Sequence, residues 1–340
     1  MRVDDYNFDL PETLIAQHPT LVRDQSRLLV YNRQEDRVTD HVFEDLSKIL
    51  TSDDFLVFNN SKVIPARIFG SRENKDEHVE FLLLKSLGDD QWEAMARPGK
   101  KAKIGSRFYF GKDLALEVIG IYPDGIRKVQ LYYDGILYEI LDKIGSMPLP
   151  PYIHEKLKDP NRYQTIYAKD PGSAAAPTAG LHFTERLLQG LSDQGIGMAN
   201  VSLHVGLGTF RPIMVDDAEK HKMHEEHFSI SEEDAQKIEQ ARKNGKNIVA
   251  VGTTTVRTLE AVMNQHGKII PCTDSTNIFI YPGYEYKIVN KLITNFHLPK
   301  STLLMLVSAL LTREKVLELY RYAVEKEYRF FSFGDAMLIE

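Results

Sequence analysis

Asn247-Ile248-Val249-Ala250-Val251-Gly252-Thr253-Thr254-Thr255 is a short apolar run that stops at one glycine and three threonines, ahead of a helical pattern through Arg257 and Leu259. A β-prone segment, a polar turn and a helix in that order make half of a βα unit. The order recurs twice. Ala199–Val205 leads into Gly206-Leu207-Gly208-Thr209-Phe210-Arg211, and Lys291–Ile293 leads into Thr294-Asn295-Phe296-His297-Leu298-Pro299 before the apolar helix Leu303–Leu311. Between the first two, Ser231–Asn244 reads as a helix with a Ser231…Asp234 capping pair and Gly245 at its end. Repeated strand-then-helix units imply an α/β fold with a largely parallel, helix-covered sheet. Such sheets bind ligands beyond the carboxyl ends of their strands. Those ends carry His204, Arg211, Thr253, Thr254, Asn295 and His297.

Working outward, Gly172–Thr184 reads G-S-A-A-A-P-T-A-G-L-H-F-T, with one histidine, His182, among small residues. So few side chains let backbone N–H groups approach a ligand closely. Thr184 stands as an N-cap before the helix-prone Glu185-Arg186-Leu187-Leu188. The stretch reads as a ligand loop, or more plainly as a loop kept small for packing.

Residues 1–59 read as mixed α/β. A helix is expected to enter at Leu10-Pro11-Glu12 and run through Leu14-Ile15-Ala16, and an amphipathic helix near Val42–Leu50 between strands Leu28–Tyr31 and Phe55–Phe58. From about 60 to 150 the period becomes that of strands. Val79–Leu84, Gln91–Ala96, Arg107–Phe110, Leu114–Tyr122 and Lys128–Tyr133 are separated by Gly88-Asp89-Asp90, Asp124-Gly125 and Asp134-Gly135 turns. Close-spaced strands of this kind suggest a small barrel or sandwich. The block ends at the stiff Met147-Pro148-Leu149-Pro150-Pro151. The expected architecture is an α/β domain from 1–59 and 151–340, with a small β-barrel domain inserted at 60–150.

At 340 residues there is room for a full core, and 43% hydrophobic with 26% charged residues is the composition of a soluble globular protein. The single cysteine, Cys272, permits no intrachain disulfide and fits a reducing cytosol. No signal peptide is read after Met1-Arg2-Val3-Asp4-Asp5, and Leu303–Leu311 is too short to span a bilayer. A cytoplasmic location is expected. The net charge of −6 argues against a generic nucleic-acid binder. Residues 60–150 carry 14 Lys+Arg against 13 Asp+Glu, so the acidic excess lies elsewhere. Arg97, Lys100, Lys101, Lys103 and Arg107 fall together with no acid among them. They form either a phosphate-contacting patch or a solvated hairpin tip.

His182, His204 and His297 each sit in a loop next to glycine, threonine or asparagine. One such histidine alone would read as a satisfied structural group; three at equivalent positions read as a site. Arg211 could grip a carboxylate in bidentate fashion. Phe183, Phe210 and Phe296 could offer faces to a purine or a sulfonium cation. His221-x-x-His224-x-x-His227 invites a metal reading, but the H-E-x-x-H order is absent, and Glu226 as a carboxylate acid or base is the better reading. Neither G-x-G-x-x-G nor a P-loop occurs, which argues against an ordinary NAD enzyme or ATPase.

Longer stretches carry a resemblance. They are Leu56–Arg67 (L-V-F-N-N-S-K-V-I-P-A-R), Met147–Ile153, Tyr163–Thr165, Ala175–Thr184, Leu203–Phe210, Val251–Thr254, Ile278–Tyr284, Thr294–Ala309 (T-N-F-H-L-P-K-S-T-L-L-M-L-V-S-A) and Phe333–Ile339. In order and from end to end, the chain resembles the S-adenosylmethionine:tRNA ribosyltransferase-isomerases of queuosine biosynthesis. That family often has an aspartate where this chain has Asn60, so no carboxylate role is assigned there.

The resemblance implies ribosyl transfer from S-adenosylmethionine, as co-substrate, to 7-aminomethyl-7-deazaguanine at the tRNA wobble position. Epoxyqueuosine is formed, and adenine and methionine leave. It implies no prosthetic group, no metal and no membrane partner; a monomer is expected. A sulfonium acidifies the neighbouring C5′–H, so a base is needed there, and departing adenine needs an acid. His182, His204, Glu226 and His297 are the catalytic candidates. Arg211 or Arg257 would take the methionine carboxylate, and Thr178, Thr254 and Asn295 would bond ribose or base edges. The resemblance favours phosphate contact for Arg97, Lys100, Lys101, Lys103 and Arg107.

Overall fold

The computed structural model describes residues 1–75, 77–123, 125–155, 157–206 and 215–340. In chain order, β1 (Arg27–Asn32), β2 (Arg37–Val42), α1 (Leu46–Ile49), β3 (Asp54–Asn59) and β4 (Ser61–Val63) precede a block of six strands. These are β5 (Arg67–Gly70), β6 (Val79–Gly88), β7 (Gln91–Arg97), β8 (Arg107–Phe110), β9 (Leu114–Ile121) and β10 (Arg127–Tyr133), closed off by α2 (Leu137–Ile144). There follow β11 (Asp170–Ser173), α3 (Glu185–Asp193), β12 (Gly197–Leu203), β13 (Glu226–Ile230), α4 (Glu232–Lys243), β14 (Asn247–Val251) and α5 (Thr253–His266). The chain ends with β15 (Cys272–Thr276), β16 (Val289–Asn295), α6 (Thr302–Leu310), α7 (Arg313–Glu325) and β17 (Ala336–Ile339).

The large sheet runs β15-β13-β12-β3-β14-β16-β17-β1-β2. Its centre, β12-β3-β14-β16, is parallel, as is the β17–β1 pair, while antiparallel strands extend both edges. Alternation along the central strands explains why both faces are covered. Phe55, Val57, Ile248, Ala250 and Leu292 join one core with residues of α4, α5, α6 and α7. Leu56, Phe58, Val249, Val251 and Ile293 join the opposite core with Leu46, Leu187 and Leu191. Strands buried on both faces read as continuous apolar runs rather than alternating ones.

The six-stranded sheet is antiparallel in order β5-β6-β7-β10-β9-β8, and a Ser71–Tyr109 bridge links its two edges into a nearly closed barrel. Its core is separate, built on Phe81, Phe108, Phe110, Leu116 and Val129. β4 does not belong to it. Ser61–Val63 pairs in parallel with β11, between the two sheets.

Local expectations differ in three places. The helix expected from Leu10 is a single 3₁₀ turn, Glu12–Leu14, and Val42–Leu50 contains a 3₁₀ turn, Phe43–Asp45, then the one-turn α1. Both stretches are too short to repay helix nucleation, so tertiary contacts shape them. Helix α2, with Leu137, Ile140 and Leu141 buried, lies in the stretch read as strands only. The capping expectations match the geometry: Thr184 Oγ1 accepts from Leu187 N–H, and Ser231 Oγ from Asp234 N–H. Among the described residues no helix is long and apolar enough to cross a membrane.

Candidate active site

The carboxyl ends of β12, β14 and β16 open on a cleft. Its walls include Thr178 from the small-residue loop, Val205 after β12, Thr254 at the start of α5, Asn295 at the end of β16 and His297 after it. Ala175, Ala176 and Pro177 line it with small side chains that leave room. Gly252 turns from β14 into α5 with φ +89°, a conformation glycine adopts without penalty. Buried Asn59, at the end of β3, braces this rim. Its Nδ2 donates to the Leu203 carbonyl and to Thr254 Oγ1, and its Oδ1 accepts from the N–H groups of Leu203 and Ser61. Buried Glu260 anchors the approach to β16, accepting from the N–H groups of Lys287, Ile288 and Val289 and from the Tyr284 hydroxyl. Phe331, on the opposite wall, holds φ +71°, a strained setting for a bulky residue of the kind that collects at ligand sites.

Behind Thr178 a chain of hydrogen bonds runs into the core. Thr178 Oγ1 donates to Asn295 Oδ1 (2.8 Å), and Asn295 Nδ2 donates to His182 Nε2 (3.0 Å). His182 Nδ1 meets Ser26 Oγ at 2.7 Å, and that hydroxyl donates to the Arg23 carbonyl. The pattern makes Nδ1 the protonated nitrogen of a neutral ring. Burial pushes His182 down to about 3, reinforced by Arg329 and Arg23. At 5% exposed, His182 is a buried support of the cleft rather than part of its surface.

His297 is on the surface of the cleft. Its backbone N–H donates to the Tyr320 hydroxyl, and its Nε2 lies 2.8 Å from Thr294 Oγ1. The Thr294 hydroxyl can donate to the Asn295 carbonyl, so Nε2–H donates to Thr294 and Nδ1 keeps its lone pair. Burial lowers His297 to about 3, which keeps it a neutral base.

His204 and Glu226 are elsewhere. They line a second pocket at the seam between the sheets, together with Lys85, Trp92 and Tyr138 of the barrel side and Gly172. Alternation explains the separation, since Val205 faces the first cleft while His204 and Gly206 face the second. His204 Nε2 lies 3.4 Å from Asp170 Oδ2. Burial lowers the His204 pKa, opposed by the attraction of Asp170. Glu226 is buried, accepts from the Gly206 N–H and pairs with the buried Arg257. Arg257 is thus committed to Glu226, although its Nε and Nη2 have no partner among the described residues. Arg211 and Asp124 lie outside the described residues.

The triple-histidine stretch does not fold as a helix. His221 packs edge-on against Phe279, whereas His227 sits in β13, and among the described residues no three metal-ligating side chains are grouped. In the basic strip Arg97, Lys100, Lys103 and Arg107 are exposed. Lys101 is held by Glu77 (3.0 Å), and Arg107 stacks over Tyr132 (4.5 Å). Asn59, Asp170 and Thr294 were not singled out from the sequence. The only signal for Asn59 was a polar pair closing an apolar strand.

Residues 3–339 match the family described as queuosine biosynthesis protein. The chain is 54% identical over 341 residues to the S-adenosylmethionine:tRNA ribosyltransferase-isomerase of Acetivibrio thermocellus, covering 100% of both chains. It is 51% identical over 341 residues to the protein of that name from Clostridioides difficile, again covering 100% of both. The crystal structure of the S-adenosylmethionine tRNA ribosyltransferase of Thermotoga maritima is similar at 37% identity with a TM-score of 0.58, over 99% of this chain and 100% of that one. With a family match and two relatives that span it end to end, this chain belongs to the queuosine biosynthesis protein family.

Proposed function

We propose that this chain transfers and isomerises the ribosyl group of S-adenosylmethionine onto 7-aminomethyl-7-deazaguanine at the tRNA wobble position, giving epoxyqueuosine-tRNA and releasing adenine and methionine. The observation that carries the proposal is the full-length identity of 51–54% to enzymes named for that reaction. The cleft at the strand ends, apolar for the most part with Thr178, Thr254, Asn295 and His297 in its wall, supports it. S-adenosylmethionine is a co-substrate here, and no prosthetic group is invoked.

The sulfonium donor occupies the first cleft. His297, neutral with Nδ1 unprotonated, takes the C5′ proton that the adjacent sulfonium acidifies. Thr178 and Thr254 bond the ribose or base edges, and Asn295, with His182 behind it, fixes the Thr178 hydroxyl. His182 is a positioning residue. The nucleobase approaches from the seam pocket with His204 and Glu226, and Arg257 sets the Glu226 carboxylate. The methionine carboxylate falls to Arg211. The barrel, read as an inserted domain over 60–150, presents Arg97, Lys100, Lys101, Lys103 and Arg107 to tRNA phosphates. The chain works as a cytoplasmic monomer.

Incubation with S-adenosylmethionine and tRNA carrying the aminomethyl base, followed by chromatography, should show free adenine that is absent when either substrate is omitted. No adenine from the wild-type chain would overturn the proposal.

A further inference from the structure

The seam pocket has a feature that ribosyl binding does not explain. The His204 ring lies against Gly172, where an added Cβ would come within 3.3 Å of Nδ1. Its Nε2 faces Asp170 Oδ2 at 3.4 Å, and its Nδ1 is buried without a partner among the described residues. With the ring neutral and Nε2–H toward the carboxylate, Nδ1 is a bare lone pair in the wall of the pocket. No donor among the described residues meets this atom, and a ligand N–H would satisfy it. The ionisable groups around the ring are Asp170 on β11, Glu225, Glu226 and His227 at β13, Lys85 on β6 and Tyr138 on α2. Lys85 is engaged by Glu225 (3.6 Å), and Glu226 by Arg257. Asp170 faces His204 from a set position, its backbone N–H donating to the Asn60 carbonyl and its strand paired with Ser61. An unfilled acceptor beside a carboxylate suits a ligand that brings both an N–H and a positive charge.

We propose that the seam pocket is the receptor for the primary amine on the incoming nucleobase, with His204 accepting its proton and Asp170 positioning His204. This rests on the reading under Proposed function. The ammonium gives one proton to His204 Nδ1, and the N–H electron pair stays on nitrogen as the lone pair of the nucleophilic amine. His204 becomes an imidazolium whose Nε2–H donates to Asp170. Nothing is oxidised or reduced. His204 touches the substrate, whereas Asp170 acts through it.

The test uses the full chain with Asp170→Asn and Asp170→Glu, single turnovers at saturating S-adenosylmethionine, and two tRNAs carrying either 7-aminomethyl-7-deazaguanine or guanine at the wobble position. The Asp170 side chain is 42% exposed, so neither variant buries an unpaired group. Asp170→Asn should slow turnover by about 100-fold, leave KM for S-adenosylmethionine within about twofold, and lose most of the preference for the aminomethyl tRNA. Because Asp170 favours the protonated ring, its removal should also move the rising limb of the rate–pH profile to lower pH. Asp170→Glu should restore most of the rate. An unmoved pH limb with tRNA preference intact, or a rate loss that glutamate does not restore, overturns the proposal. Wild-type adenine release with an indifferent Asp170→Asn would sink the amine receptor alone. No wild-type adenine release would sink the reaction itself.

Discussion

Asn295 donates to His182 Nε2 at 3.0 Å while accepting the Thr178 hydroxyl at 2.8 Å, so one carboxamide couples a buried imidazole to the wall of the cleft. Asn295→Ala removes both bonds and leaves the His182 lone pair buried and unpaired. Unfolding in urea should show a loss of about 2–4 kcal/mol. KM for S-adenosylmethionine should rise more than kcat falls, since Thr178 would lose its orientation. Unchanged stability and KM would show that the relay positions nothing.

His182 makes stability depend on acid. In the unfolded chain it takes up a proton below its ordinary value of 6.5, whereas in the folded protein it resists until about 3. Protonation therefore favours unfolding, and the stability due to neutral His182 is fully present above 6.5 and lost as pH falls below it. Between pH 6.5 and 5 the loss should be about 2 kcal/mol from this residue. The urea midpoint of His182→Gln, measured from pH 7 to 5, should fall less steeply than that of the wild type. Parallel slopes would remove His182 from the acid response.

Gly172 has φ +138°, and an added Cβ would press on the His204 ring. Gly172→Ala should cost about 1–3 kcal/mol from backbone strain. It should also lower kcat at least tenfold by displacing His204, while S-adenosylmethionine binding in the other cleft is retained. Calorimetry on the variant with S-adenosylmethionine checks the second point, and equal loss at both sites would contradict the separation of the pockets.

Arg257 and Glu226 are both buried, at 4% exposed each. Arg257→Met takes away the cation that Glu226 faces and should destabilise by about 3–5 kcal/mol. Glu226→Gln combined with Arg257→Met should be less destabilising than the sum of the single changes, because the coupled charges go together. Additive losses in thermal or urea unfolding would show that the pair is not coupled.

Lys100 and Lys103 are exposed, whereas Lys101 is shared with Glu77, whose carboxyl Arg72 and Lys101 hold down at about 2. Replacing Lys100 and Lys103 together with alanine should reduce the slope of log affinity for tRNA against log salt by about two. Lys101→Ala alone should change it by less than one. A salt slope untouched by the double change would remove the strip from the RNA interface.

The sequence by itself determined the βα units, the barrel strands and the caps at Thr184 and Ser231, because these follow from local periodicity and from side chains reaching their own backbone. It also singled out His182, His204, Glu226 and His297 as catalytic candidates. Only the tertiary structure decided where those residues went. Just past the end of β12, Val205 and His204 point into different pockets, and no count along the chain shows which side meets which neighbour. Burial separates His182 behind the cleft from His297 on its surface. Asp170 acquires its place only when β4 and β11 pair, and Asn59 only when β3 and β12 pair, each across more than one hundred residues of chain, and such pairing is a property of packing, not of local sequence.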